Sequence, residues 1–479
     1  MSKGPVGELK KVVSLVDRTD FDEFVFPKDT KNTEFLPKFE SYHNFTQEAT
    51  VWPFLGSPHW GQRITFSVPW PWQADFLNYL ILRLKPNSWL TPLAEQHIGP
   101  EIADWVPAPN SNGFWIWANS LGTVAIERAE MEINGIIVEQ FSGDWIDVWM
   151  KNFRDCSNGV PTDEMVGNYA NLTVNNFMPS EDGYIYCPLP FWFSKHVNTA
   201  FPLLSCSGPN TVRFHITLRP FSAVVRKLVD VLKCKETPCG QSFQIRNYYS
   251  AQYSNLRTVP IAPSIPFFET ADFVCGLSHI DGELRKSYIE TPHEILMSPV
   301  LETTFGEPLK YVVNTRQDNT IKVGLPILGN GPIQQMFFFV RRKAAIDLFN
   351  DYTNYSALLP NEVDPVWNPI QPLLQHAQLV VGTAVWADED EQWWRSSSLR
   401  LPGGIRSYGN YIYGYNFAEF PERFSPSGSL NMSRVDIRLN LTIAPPVSAY
   451  NTEWTVSVFL VGTNWMRFQN GIANQIFMD

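Results

Sequence analysis

The sequence predicts an all-β protein in which one chain carries two large antiparallel sandwiches. Three observations predict it. Apolar and polar residues alternate with period two over long stretches, a hairpin turn signal joins two such arms, and no β-α-β rhythm feeds a parallel sheet. The chain has 479 residues, and sandwiches of about 200–250 residues each would fill it as two. Hydrophobic residues make up 44% and charged residues 18%, which leaves ample core and excludes a disordered composition. The 37 Pro suit a chain with many strand corners.

The elements follow in chain order. Residues 1–38 are polar, charged and non-periodic, and are expected to form an extended arm. AEMEINGIIVEQF (129–141) places Asn134-Gly135 between two strand-like arms, the signal of a tight turn with positive φ. GDWIDVWMKNF (143–153) sets Trp145, Val148 and Trp149 at helical spacing, with Asp144 near the start. TVRFHITLR (211–219) alternates strictly, with Val212, Phe214, Ile216 and Leu218 on one face. Residues 220–266 break that rhythm, and their Pro-rich end TVPIAPSIP is a linker candidate. RRKAAIDLFNDY (341–352) is a second short helix candidate. RVDIRLNLTI puts Val435, Ile437, Leu439, Leu441 and Ile443 on one face, and WTVSVFL alternates from Trp454. The Ser-rich turn before the first of these, FSPSGSL (424–430), is expected to be the corner that sets strand register.

Charge and motifs narrow the chemistry. The formal charge is −11, from 37 basic and 48 acidic side chains, which argues against direct neutralisation of phosphates. No GxxxxGK[ST], HExxH or GxSxG is present. LGNGP (328–332) is expected to be a hairpin turn, His293-Glu294 a core or interface pair, and ADEDEQWW (387–394) a solvated loop. Cys234 and Cys239 have no second pair to complete a zinc site, so free thiols are expected. MSKGPVGELKK lacks an apolar h-region, so no secretory signal is expected, and the sequons at Asn44, Asn171, Asn354, Asn431 and Asn440 are expected to stay bare. From residues alone the competing function is a β-sandwich carbohydrate-binding or glycoside-active protein. The 17 Trp suit sugar stacking, and two carboxylates across a sandwich would suffice for hydrolysis.

Five stretches, taken in order, resemble the major capsid protein of large icosahedral DNA viruses that contain a membrane. They are NFTQEATVWPFLGSPHWGQRITFSV (44–68), the hairpin-plus-helix 117–149, IYCPLPFWFSKHVNTAFPLLSC (185–206), YIYGYNFAEFPERFSPSGSLNMSRVD (411–436) and VFLVGTNWMRFQNGIANQIF (458–477). The most specific residues are Pro188, Pro190, Phe191, Trp192 and Phe193 in the first half. In the second half they are Pro426, Gly428, Asn431, Ser433, Arg434 and Asp436.

The resemblance implies a double jelly-roll, two eight-stranded antiparallel sandwiches in one chain. The expected division is an arm 1–38, a first jelly-roll 39–220, a linker or insertion 221–266 and a second jelly-roll 267–479. The implied role is structural, without catalytic site, cofactor or metal. Homotrimers of pseudo-hexagonal outline would tile the virion shell, touching neighbouring capsomers, minor capsid proteins and the inner viral membrane. Assembly would occur in the host cytoplasm, with no sequence-specific nucleic-acid binding. ADFVCGLSHIDGELRKSYIETPHEIL (271–296) resembles the opening of the family's second half, although Gly282 and Lys286 loosen its charge pattern.

Overall fold

Alternation becomes sixteen sandwich strands in two sets of eight. A computed structural model provides the coordinates, which describe residues 43–54, 56–87, 114–153, 165–167, 183–195, 197–208, 211–236, 242–250, 267–306, 320–359, 371–397, 411–421, 427–444 and 453–476. The first set is β1 Phe45–Pro53, β2 Arg63–Ser67, β3 Phe76–Pro86, β4 Ile126–Ile133, β5 Ile136–Ser142, β6 Ile185–Leu189, β7 Val212–Leu218 and β8 Phe268–Ile280. The second is β9 Val300–Phe305, β10 Ile321–Ile327, β11 Pro332–Arg342, β12 Leu374–Val381, β13 Ala384–Asp390, β14 Ile412–Asn416, β15 Ile437–Ile443 and β16 Trp454–Gly462.

The first set forms sheets of order β1-β8-β3-β6 and β2-β7-β4-β5. The second forms β9-β16-β11-β14 and β10-β15-β12-β13, the same order with eight added to every number. Every neighbouring pair is antiparallel. This is the jelly-roll order, written twice in one chain.

Several expectations meet the structure directly. Asn134 and Gly135 both have positive φ (52° and 84°) and close the β4–β5 hairpin. Among the described residues, beside the single helical turns Leu121–Val124 and Phe221–Val224, four longer helices serve the sandwiches: α1 Gly143–Phe153, α2 Gly282–Glu290, α3 Lys343–Phe349 and α4 Glu391–Ser397. The Asp281 side chain accepts from the Leu284 N–H at 3.0 Å and caps α2, while Asn350 ends α3 in the left-handed region (φ 49°).

Other expectations change. The stretch ADEDEQWW is not a loop: it ends β13 and opens α4, because Trp394 is fully buried and anchors the turn of helix. Residues 221–266 contain an antiparallel hairpin, Val225–Glu236 with Ser242–Ser250, that also pairs with Phe114–Trp117. Two register shifts in that hairpin break period-two alternation, which is why its strands do not show in the sequence. Finally, β8 falls within 267–479 yet lies between β1 and β3 of the first sandwich. Alternation identifies a strand but not its partners, and here the last strand of the set returns beside the first.

The two sandwiches meet along a buried seam pinned by polar groups. Within β11 the even positions face their own sandwich: Phe338 lies 5.5 Å from Trp394 and 5.2 Å from Tyr413. The odd positions face α1, which leaves β5 and lies against β11 and β16. Trp145 sits 6.0 Å from Phe337 and 5.4 Å from Phe459. Arg341 grips Asp144 through two bonds of 3.0 and 2.7 Å and donates to the Tyr352 carbonyl at 2.6 Å. The Tyr355 hydroxyl donates to Asp147, Lys151 reaches Asp147 at 2.7 Å, and Ser142 donates to Glu302 from its hydroxyl at 2.8 Å. Burial works against the Asp144 charge, but Arg341 overrides it and holds the carboxyl below its ordinary range. A lone buried guanidinium is costly, so Asp144→Ala is expected to destabilise the chain by about 3–5 kcal/mol in urea unfolding. The apolar double variant Asp144→Leu/Arg341→Met should recover most of that loss; a double variant as unstable as the single one would contradict this account.

Candidate structural site at the sandwich corners

The residues singled out in the first half converge at one corner. β6 is the edge of its sheet, and Pro188 sits opposite Ile81 there, where a missing N–H is tolerated. Pro190 ends the strand, and Phe191 leads into a single 3₁₀ turn over Trp192–Ser194 closed by the Ser194 N–H on the Phe191 carbonyl at 2.8 Å. Pro188, Pro190, Phe191, Trp192 and Phe193 are all buried. Phe191 lies 4.9 Å from Phe141 and 5.3 Å from Phe214, which belong to the opposite sheet, and stacks on Phe193 at 5.7 Å. Trp192 meets Phe193 and Phe201 edge-on at 5.8 and 6.1 Å. One short stretch thus bridges both sheets with aromatic rings.

Beneath this corner lies a carboxyl that sequence reasoning missed. Glu139 on β5 is buried, and one of its oxygens accepts from the Trp192 backbone N–H at 3.0 Å. Its second oxygen, Oε1, has no hydrogen-bond partner. Burial pushes the Glu139 pKa from 4.5 up to about 7, against the opposing pull of that N–H and of Lys195. The only sequence signal was an acidic residue on the inward face of a predicted strand.

The residues of the second half form a polar corner on the surface of the other sandwich. Pro426 lies outside the described residues. Gly428 has φ +142°, a conformation that disfavours a side chain, and Ser427 accepts from the Phe420 N–H at 2.6 Å. Asn431 pairs with Pro332 at the start of β11, and its side chain accepts from the Ser433 N–H at 3.0 Å. The Ser433 hydroxyl bonds Asn330 and accepts from the Gly331 N–H at 2.9 Å; LGNGP is therefore the turn that receives this corner and not the expected hairpin, because the strands it joins, β10 and β11, lie in different sheets. The Arg434 N–H donates to the Asn431 carbonyl at 3.2 Å, and the Asp436 carbonyl accepts from Gly382, in the β12–β13 turn, at 2.8 Å. Asn431, Ser433, Arg434 and Asp436 are exposed. The strand they were expected to start begins later, at Ile437, because residues 432–435 are spent on the turn. From Ile437 the odd positions are buried as alternation requires.

His293 stacks on Phe468 at 5.1 Å, and Glu294 pairs with Arg467, so both serve the strand pair His293–Met297 and Asn464–Gln469. Among the described residues no cluster of three or more His, Cys, Asp or Glu could hold a metal. Cys187, Cys206 and Cys275 are free and buried, and burial raises each thiol pKa, that of Cys206 to about 12. Cys239 and the side chain of Cys234 lie outside the described residues.

Glu139 gives the corner a testable pH dependence. Its raised pKa means the folded chain binds a proton more tightly than the unfolded chain, so stability falls as pH rises from 4.5 to about 7. Glu139→Gln keeps an acceptor for Trp192 and removes the charge. Its thermal midpoint should vary less over that interval and exceed that of the parent at pH 8; parallel profiles would contradict the assignment.

Known proteins share this architecture. A family profile described as "Major capsid protein N-terminus" matches residues 33–248. The major capsid protein of Pyramimonas orientalis virus is 21% identical over 460 residues, covering 93% of this chain and 94% of that protein. That of Frog virus 3 is also 21% identical, covering 87% of this chain and 86% of its own. Among solved structures, a chain of the PBCV-1 virus capsid superposes with TM-score 0.66 at 16% identity, over 93% of this chain and 100% of that one. The Faustovirus major capsid protein gives TM-score 0.60 at 12% identity, with 97% of each chain covered. The repeated jelly-roll order and full-length similarity agree: the chain resembles the double jelly-roll major capsid proteins of large DNA viruses and shares their fold.

Proposed function

We propose that this chain builds the faces of an icosahedral viral shell as a homotrimeric capsomer. The observation that carries this is the internal repetition, two sandwiches of identical strand order locked side by side by a buried seam. Three such chains in a ring set six similar sandwiches around one axis, a pseudo-hexagon that tiles a plane. The work is mechanical and needs rigid bodies with broad contact surfaces, not a cleft. The protein is structural and resides in the virion.

The finer roles follow the same logic. The buried 188–193 corner locks the first sandwich, and the exposed 428–436 corner sets register in the second. With β8 paired in the first sandwich, the division between jelly-rolls falls after Ile280. Neighbouring capsomers, minor capsid proteins and the inner viral membrane are the partners, and residues 1–38, which lie outside the described residues, contact them. A net charge of −11 suits a protein separated from the genome by that membrane, and assembly takes place in the host cytoplasm.

Light scattering on the purified chain should give a trimer that survives dilution, and negative-stain images should show a hexagonal outline. A monomer that binds or cleaves glycans would overturn the capsomer. Deleting residues 1–38 should leave the trimer intact and impair shell assembly; normal shells from the truncated chain would remove the arm's role.

A further inference from the structure

The seam inside one chain has an unfilled counterpart at the chain's far side. α1 follows edge strand β5, and α4 follows edge strand β13, at the same place in each sandwich. Counted from the first helical residue, Asp144 matches Gln392, Trp145 matches Trp393 and Ile146 matches Trp394. Ile146 and Trp394 are both 0% exposed. Trp145 is also 0% exposed, with its ring seated on Phe337 and Phe459 of the second sandwich. Trp393 touches only Trp394 among described rings, edge-on at 5.4 Å, and remains 37% exposed.

The seat of Trp145 also has a counterpart. β3 and β11 are each 11 residues long and hold the same place in their sheets. Counted from their starts, Ile81 matches Phe337. Ile81 pairs with Val274 as Phe337 pairs with Phe459. In the next strand Val51 stands opposite Val274, as Glu302 stands opposite Phe459. Phe337 and Phe459 are fully buried beneath α1, whereas Ile81 and Val274 are half-buried and Val51 is 44% exposed. A groove of about 450 Å³ opens beside them, lined in part by Ala49, Tyr79, Lys195 and Gly276.

We infer that Trp393 of one copy docks on the Ile81–Val274–Val51 patch of a second copy, repeating between chains the contact that Trp145 makes within one. The inference rests on the trimer and names its joint. Second sandwich meets first sandwich of the next chain, a head-to-tail contact that closes after three copies. The ion pair is not repeated: Gln392 stands in the place of Asp144, and Lys85, paired with Glu269 at 3.4 Å, stands in that of Arg341. A joint formed after folding thereby avoids desolvating two charges. The apolar ring supplies the contact instead, as exposed aromatics do at interface centres.

The test uses the full chain in sedimentation and light scattering across a dilution series. Trp393→Lys should raise the trimer's dissociation concentration by roughly tenfold or more while leaving the monomer's unfolding midpoint in place. Val385→Lys is the control. It is 54% exposed, and its match on β5, Ile137, stays 45% exposed despite the seam, so its trimer should equal that of the parent. In a second experiment, Trp393→Cys with Ile81→Cys should give an oxidised ladder up to trimer on denaturing gels that neither single variant gives. A parent trimer with an unchanged Trp393→Lys trimer and no ladder overturns the joint alone. A parent chain that stays monomeric at every concentration overturns the capsomer and the joint together.

Discussion

The structure turns on one buried contact, the Asp144–Arg341 pair beside the Trp145 ring. Two jelly-rolls on a flexible tether would be two domains free to rotate. Here a helix from the first is inserted against the exposed face of a sheet in the second, and that face becomes core. Every position of β11 from Ile333 to Arg342 is buried, which an ordinary sandwich strand with one wet face does not show. The bidentate geometry fixes orientation as well as distance, because a guanidinium fork and a carboxylate meet in one plane. A buried pair of this kind adds little net stability over apolar packing, and its value lies in specifying a single arrangement.

Around that contact the chain divides its labour by burial. The first-half corner is aromatic and dry, with Phe191 reaching Phe141 and Phe214 across the sandwich. The second-half corner is polar and wet, held by short-range bonds among Asn330, Gly331, Asn431 and Ser433. Each solution meets the same demand, turning the chain between sheets while pairing backbone groups at the bend. The first stabilises through ring contact, and the second through local hydrogen bonds.

Much of the fold was legible because its strands obey one rule at a time. Alternation at Val212–Leu218 and Ile437–Ile443, and the Asn134-Gly135 turn, follow from backbone geometry that acts over a few residues. What remained hidden depends on partners far away in the chain. Asp144 and Arg341 are 197 residues apart, and neither carries a local mark of the other. The membership of β8 in the first sandwich is likewise a fact of pairing. The 225–250 hairpin was obscured by its own bulges, and the acidic stretch before Trp394 by a composition that looks solvated although one ring anchors it. At the corners, family resemblance located the residues, while only coordinates revealed Glu139 beneath Trp192.

The three buried thiols bear on where such a protein must last. Cys187, Cys206 and Cys275 are sealed in the first sandwich with their thiols held protonated, and the thiolate is the form that oxidises or exchanges. At these sites the covalent structure therefore resists oxidants and thiol exchange. Around these three thiols the sandwich keeps its shape through hydrophobic enclosure, with no cross-link among them.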